Sequence, residues 1–110
     1  MYTYQAHVTK VHDGDTLTCD IDLGFNILYK DQKIRLYGIN APEIIGPTKP
    51  QGTASRDALR ELVLDKDIII ATRKDDKEKY GRYLGIISVG DENINDWLVK
   101  NKLAVVYLLT

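Results

Sequence analysis

From Lys33 to Glu43 the chain reads Lys-Ile-Arg-Leu-Tyr-Gly-Ile-Asn-Ala-Pro-Glu. Ile34 and Leu36 alternate with Arg35 and Tyr37, the period of a pleated strand whose successive side chains face opposite ways. Pro42 lacks an amide hydrogen and biases Ala41 away from helix, so the strand has to end there and present Asn40 and Glu43 at its mouth. Arg35 and Glu43 are thereby held close together. A planar guanidinium suits a phosphate, and a positioned carboxylate suits a water that must lose a proton. The stretch therefore commits the chain to β-structure and outlines phosphodiester chemistry.

The rest of the chain supplies partners for that strand. Residues 2–23 read as two strands or one long bent one, with Tyr4, Ala6 and Val8 on one face and later Leu17, Cys19, Ile21 and Leu23 on one face. Between them, His12-Asp13-Gly14-Asp15-Thr16 reads first as an Asp-Gly hairpin turn. Its two acids within three residues also suit a cation, with Gly14 freeing the backbone to aim Asp15 sideways. Asp20 and Asp22 alternate with the apolar residues and read as solvated edge charges or as a second bank of acids near Asp15. Gly24-Phe25-Asn26 and Lys30-Asp31-Gln32 read as two turns of a meander.

Ile44 to Gly52 reads as a loop in which Lys49 is solvated or lies near a polyanion. Thr53 then caps a helix whose apolar face is Ala54, Ala58, Leu59, Leu62 and Val63, with Ser55, Arg56, Asp57, Arg60 and Glu61 on the wet side. Ile68-Ile69-Ile70-Ala71 predicts a strand buried on both sides or one in a small barrel. Lys74 to Arg82 reads as a charged loop closing on Gly81, which lets Arg82 reach back toward Arg35, and Tyr83 to Val89 as another strand. Asn93 or Asn95 caps a short helix carrying Trp97 toward the core. Leu103 to Thr110 is apolar to the end and reads as a terminal strand or as a surface for a second copy, which makes a homodimer possible.

At 110 residues the chain suits one domain, 1–110. A formal net charge of −1 excludes a generally basic nucleic-acid coat, so any phosphate binding must be local. The single cysteine, Cys19, cannot form an internal disulfide. No stretch is long and apolar enough for a membrane helix, and the N-terminus has no signal-peptide pattern, so no membrane partner and a cytoplasmic location are expected.

Three stretches in order, Asp13 to Thr16, Arg35 to Glu43 and Lys79 to Arg82, resemble the active-site motifs of the staphylococcal nuclease (thermonuclease-like) family, and Asn95 to Ala104 resembles its later helix. The resemblance implies a β-rich α+β fold: an OB-fold five-stranded barrel with two packed helices, lacking the family's third C-terminal helix. It implies calcium-dependent hydrolysis of DNA and RNA phosphodiesters, with another divalent cation as an option. By motif, Asp15, Asn40 and the carbonyl of Ala41 would be metal ligands and Glu43 the general base. Arg35 and Arg82 would hold the phosphate, and Tyr80 would lie beside the substrate.

Two departures stand out. Asn40 replaces the family's more usual aspartate, which keeps an oxygen donor and removes a charge, and Lys102 stands where a glycine is expected. The alternative class is a catalytically weak or inactive OB-fold module that binds nucleic acid or protein, which Asn40 and the near-neutral charge support.

Overall fold

The computed structural model describes residues 2–77 and 79–107, and the side chains of all of these except 74–76. The chain enters through β1 (Tyr2–Asp13), which pairs antiparallel with β2 (Thr16–Asp22). Residues 2–23 thus form two strands, β1 being the longer. Its pairing with β2 shifts register between Val8 and Lys10 and again between Val11 and Asp13. A bulge adds one residue and swaps which parity faces inward, so Ala6 and Val8 are buried and then Val11.

β3 (Leu28–Leu36) follows the turn around Gly24-Phe25-Asn26, all three at positive φ of 79°, 56° and 62°. The second turn read at Lys30-Asp31-Gln32 does not form. Those residues lie inside β3, where Asp31 takes φ +58° at the register shift opposite Cys19 and Ile21, and its amide donates to Asp20 Oδ1 at 2.9 Å. An Asx-type acceptor on the neighbouring strand turns a turn-forming residue into a bulge.

After β4 (Ile39–Asn40) and one 3₁₀ turn, α1 (Lys49–Val63) begins a full turn earlier than Thr53. Pro50 falls in its first turn, where a missing amide costs nothing, so the proline marks a helix start rather than a loop. The buried positions are Gly52, Ser55, Leu59 and Val63, so Ser55 faces inward while Ala54 is exposed. Ser55 tolerates burial because its hydroxyl donates to the Leu103 carbonyl at 2.6 Å.

β5 (Asp67–Lys77) runs on through much of the charged stretch read as a loop, Lys77 pairing with Tyr83; Glu78 of that stretch lies outside the described residues. Ile68 and Ile70 are buried but Ile69 is 38% exposed, so this strand is covered on one face only, which fits the small-barrel reading of its sequence and not burial on both sides. β6 (Tyr83–Val89) and the short β7 (Glu92–Asn93) lead into α2 (Ile94–Lys100), capped by Asn93, whose side chain accepts from the Asp96 amide. Lys102 takes the left-handed φ of +60° that a glycine would favour.

The strands run in the order β3-β2-β1-β5-β6, and β3 pairs in parallel with β6 to close a five-stranded barrel with two helices packed on it. This is the α+β OB-type barrel expected. Leu17, Ile34, Leu36, Ile70 and Ile87 fill it, with Leu59 and Val63 of α1 and Ile94 and Leu98 of α2 joining the same core. Burying each such side chain stabilises by about 1.5–3 kcal/mol. β8 (Val105–Val106) pairs with β4. The last part of the apolar tail, residues 108–110, lies outside the described residues.

Candidate active site

A cleft of about 660 Å³ is lined by Asp13, Asp15, Arg35, Asn40, Ala41, Pro42, Glu43, Lys79, Tyr80, Arg82 and Tyr107. Asp15, Arg35, Asn40, Ala41, Glu43, Tyr80 and Arg82, the residues given site roles by motif, are all there. The β1–β2 turn supplies the acids. Asp13 Oδ1 accepts from the Asp15 amide at 3.0 Å, closing the turn, while Gly14 is wedged so tightly that a Cβ would come within 2.6 Å of Ser55 Cβ and 2.7 Å of Ala41 Cβ. Asp13-Gly14-Asp15 is therefore the hairpin turn its sequence suggested, and it brings both acids to the cleft.

Asp15 is the most constrained of these groups, at 7% exposure. Its Oδ2 accepts from the Ala41 amide at 2.7 Å and lies 3.5 Å from Arg35 Nη2, and its Oδ1 accepts from the Thr16 hydroxyl at 3.2 Å. Burial, followed by hydrogen bonding and repulsion from Asp13, pushes its pKa up to about 6 against the lowering effects of the Ala41 amide and Arg35. The buried Arg35 donates to the Leu36 carbonyl at 2.8 Å and to Asn40 Oδ1 at 3.3 Å, which fixes the plane of its fork.

Arg82 enters from the β5–β6 turn, where Gly81 at φ +81° permits the backbone reversal. It donates to Thr16 Oγ1 at 3.4 Å, and its guanidinium carbon lies 5.4 Å from the Tyr80 ring centre. Lys79 Nζ sits 5.0 Å from the same ring. Glu43 is exposed, but its backbone is held: its carbonyl accepts from the Thr48 hydroxyl at 2.8 Å, and a Cβ on Gly52 would meet its carbonyl carbon at 2.6 Å. Only a glycine lets α1 pack this closely on the strand exit.

The model of the family described as staphylococcal nuclease homologue matches residues 33–110. The chain belongs to that family. It is 32% identical over 100 residues to a thermonuclease of Staphylococcus intermedius, covering 88% of this chain and 56% of that protein. An uncharacterized endonuclease of Haemophilus influenzae is 36% identical over 102 residues, covering 93% and 52%. A probable staphylococcal-like nuclease of Oryza sativa is 33% identical over 85 residues, covering 77% and 20%. The chain thus spans about half the length of the bacterial relatives it matches.

Within this family member, the oxygen donors near the cleft are the Asp13 and Asp15 carboxylates, the Asn40 amide oxygen and the Ala41 carbonyl, a hard set that suits a divalent cation such as calcium. It is weakly charged, since no three His, Cys, Asp or Glu side chains gather for a metal among the described residues. Arg35 also draws on Asn40 Oδ1. The buried Asp15 carboxyl is the feature that favours a cation: its negative charge is undercompensated, which raises its pKa to about 6, and a cation would supply the missing compensation.

Asp20 and Asp22 are not a second bank of acids beside Asp15. They line a different groove with His7 and Asp67, and Asp22 accepts from the Gly24 amide at 2.8 Å. Lys49 opens α1 and is not a cleft-lining residue. Tyr107 and Lys79 line the cleft without having been given a role. Lys79 stood only as the first residue of the third motif, at the end of a charge run. Tyr107 was hidden in an apolar tail, although it follows β8, whose pairing with β4 continues into a bond from the Tyr107 amide to the Gly38 carbonyl at 2.8 Å.

Proposed function

We propose that this cleft hydrolyses phosphodiester bonds of DNA or RNA, or both, with Glu43 as general base and Arg35 and Arg82 on the phosphate. The observation that carries the reading is the convergence of Asp15, Arg35, Glu43 and Arg82 on one cleft from four separate parts of the fold. Glu43 takes a proton from the attacking water as the new bond to phosphorus forms and the bond to the leaving oxygen breaks. Negative charge builds on the non-bridging oxygens, where Arg35, already oriented by Leu36 and Asn40, and Arg82 offer charge-assisted donors. Tyr80 lies at 70% exposure beside Arg82, placed to flank the substrate.

Asp15, with the Asn40 side-chain oxygen and the Ala41 carbonyl, would hold a calcium or similar divalent ion. Such an ion supplies neutralisation of phosphate charge. Incubating the protein with single-stranded DNA and with RNA, in calcium and in chelator, tests the reading. Cleavage that requires the cation supports it; no cleavage by folded protein with any divalent ion refutes it.

One observation favours a second reading, a binding module of weak or no catalysis: Arg35 engages the Asn40 oxygen, at a position where a carboxylate would add charge. On that reading Asn40→Asp restores or strengthens cleavage while nucleic-acid binding changes little.

A further inference from the structure

The barrel has an opening that this chemistry does not use. Inward positions of all five strands converge there on a pocket of about 330 Å³, lined by Tyr4 of β1, Ile21 and the adjoining Leu23 of β2, Tyr29 of β3, Thr72 of β5 and Tyr83 of β6. Tyr83 pairs with Ile34 and Tyr4 with Ile70, both aliphatic residues fully buried in the core. Directly paired residues share a face of the sheet, so both rings face the interior. The barrel that is aliphatic at its centre is thus tyrosine-lined at this mouth. Tyr29 and Tyr83 meet edge to face with centroids 6.4 Å apart, and Tyr29 and Leu23 keep 40% and 43% of their surface exposed. Barrel mouths are recurrent ligand sites of about 300–1,000 Å³, and this one, near the lower limit, has room for a single ring system.

The chain connects this mouth to the cleft. Arg82 lines the cleft and Tyr83, the next residue, lines the mouth. Cations stand over the aromatic rings along this route, Arg82 and Lys79 at Tyr80 and Lys77 Nζ 5.0 Å from the Tyr83 ring centre. Alternating aromatic faces and cations match a strand of nucleotides, in which every base has a stacking face and every linkage a negative charge.

We infer that the barrel mouth is a nucleobase subsite, which takes an unpaired base of the strand whose phosphate occupies the cleft, with Lys77 beside an intervening phosphate. The inference rests on the nuclease reading of the cleft and extends it to a residue-level preference: a base stacked in a duplex cannot enter the mouth without being unpaired.

The test measures binding of labelled octathymidylate and dithymidylate in calcium, with Glu43→Gln protein so that substrate persists. Tyr83→Leu keeps an apolar plug and removes the stacking face; Tyr29→Leu does the same at the exposed rim, where folding is least at risk. Each weakens the octamer about tenfold, the size expected of one lost base–aromatic stack, and leaves the dinucleotide within about twofold, while Tyr83→Phe restores the octamer. Folded Tyr83→Leu and Tyr29→Leu proteins that bind the octamer as tightly as their parent overturn the subsite and leave the cleft reading standing. A Glu43→Gln parent that binds neither oligonucleotide, together with unsubstituted protein that cleaves neither, overturns both.

Discussion

Asp15 is held at a cost to the fold, and replacing it should reveal that cost. Its carboxyl is raised from an ordinary 3.8 to about 6, chiefly because the group is buried. A group whose folded pKa is raised favours the folded state fully below its unfolded value and loses that advantage as pH rises through the folded value. Ionised Asp15 therefore opposes folding at neutral pH by up to about 3 kcal/mol, at about 1.4 kcal/mol per tenfold change in proton affinity. Asp15→Asn keeps an oxygen for the Ala41 amide but gives up the 3.5 Å contact with Arg35. The net gain expected is about 1–2 kcal/mol at pH 7.5, or several degrees in melting temperature. Thermal unfolding in chelator, from pH 4 to 8, measures it. The variant should melt above the parent at pH 7.5 and converge on it as pH falls through 6 toward 4, while losing cleavage. A variant less stable than the parent at pH 7.5, or an offset that does not change with pH, refutes the idea that burial sets the Asp15 proton affinity.

Asn95 is buried and makes three bonds, accepting from the Ile87 amide and donating to the Tyr37 and Gly85 carbonyls; Asn95→Ala should cost about 3 kcal/mol in denaturant unfolding, since each buried polar group left unpaired costs about 1–3 kcal/mol. Gly52→Ala forces its Cβ against the Pro42 and Glu43 backbone, so it should lower the cleavage rate by a larger factor than Asn95→Ala does at equal residual folded fraction. His7 is raised by hydrogen bonds to Asp67 and Asp65. Its clamp should therefore be present below pH 6.5 and fade as pH rises through the folded value, so the melting temperature lost in His7→Gln should be larger at pH 5.5 than at pH 9.

The sequence carried the site further than it carried the element boundaries, for identifiable reasons. Asp15, Arg35, Glu43 and Arg82 were legible because each sits next to a residue with a strict backbone consequence, namely Gly14, the strand alternation at Ile34 and Leu36, Pro42 and Gly81. The strands were legible from period-two runs such as Leu17-Cys19-Ile21, and the barrel from the resemblance to the nuclease family. What failed were places where tertiary contacts override local chemistry. Asp31 belongs to a bulge because Asp20 on β2 receives its amide. Ser55 is buried because the Leu103 carbonyl, 48 residues away, accepts its hydroxyl. Ile69 is exposed because the two barrel-facing neighbours, Ile68 and Ile70, take the core positions. Asn93 and Asn95 looked like equal cap candidates, yet only Asn93 caps α2, while Asn95 fastens that helix to β6.

The account depends most on Glu43 as the base for an attacking water. Glu43→Gln keeps the shape of the side chain and removes its capacity to take a proton, so the most direct measurement is single-turnover cleavage of single-stranded DNA in calcium, alongside the affinity for the same oligonucleotide. The account predicts a cleavage rate lower by about 10²–10⁴, the range of general-base contributions, with affinity nearly unchanged. Cleavage at the parental rate by Glu43→Gln protein would contradict it.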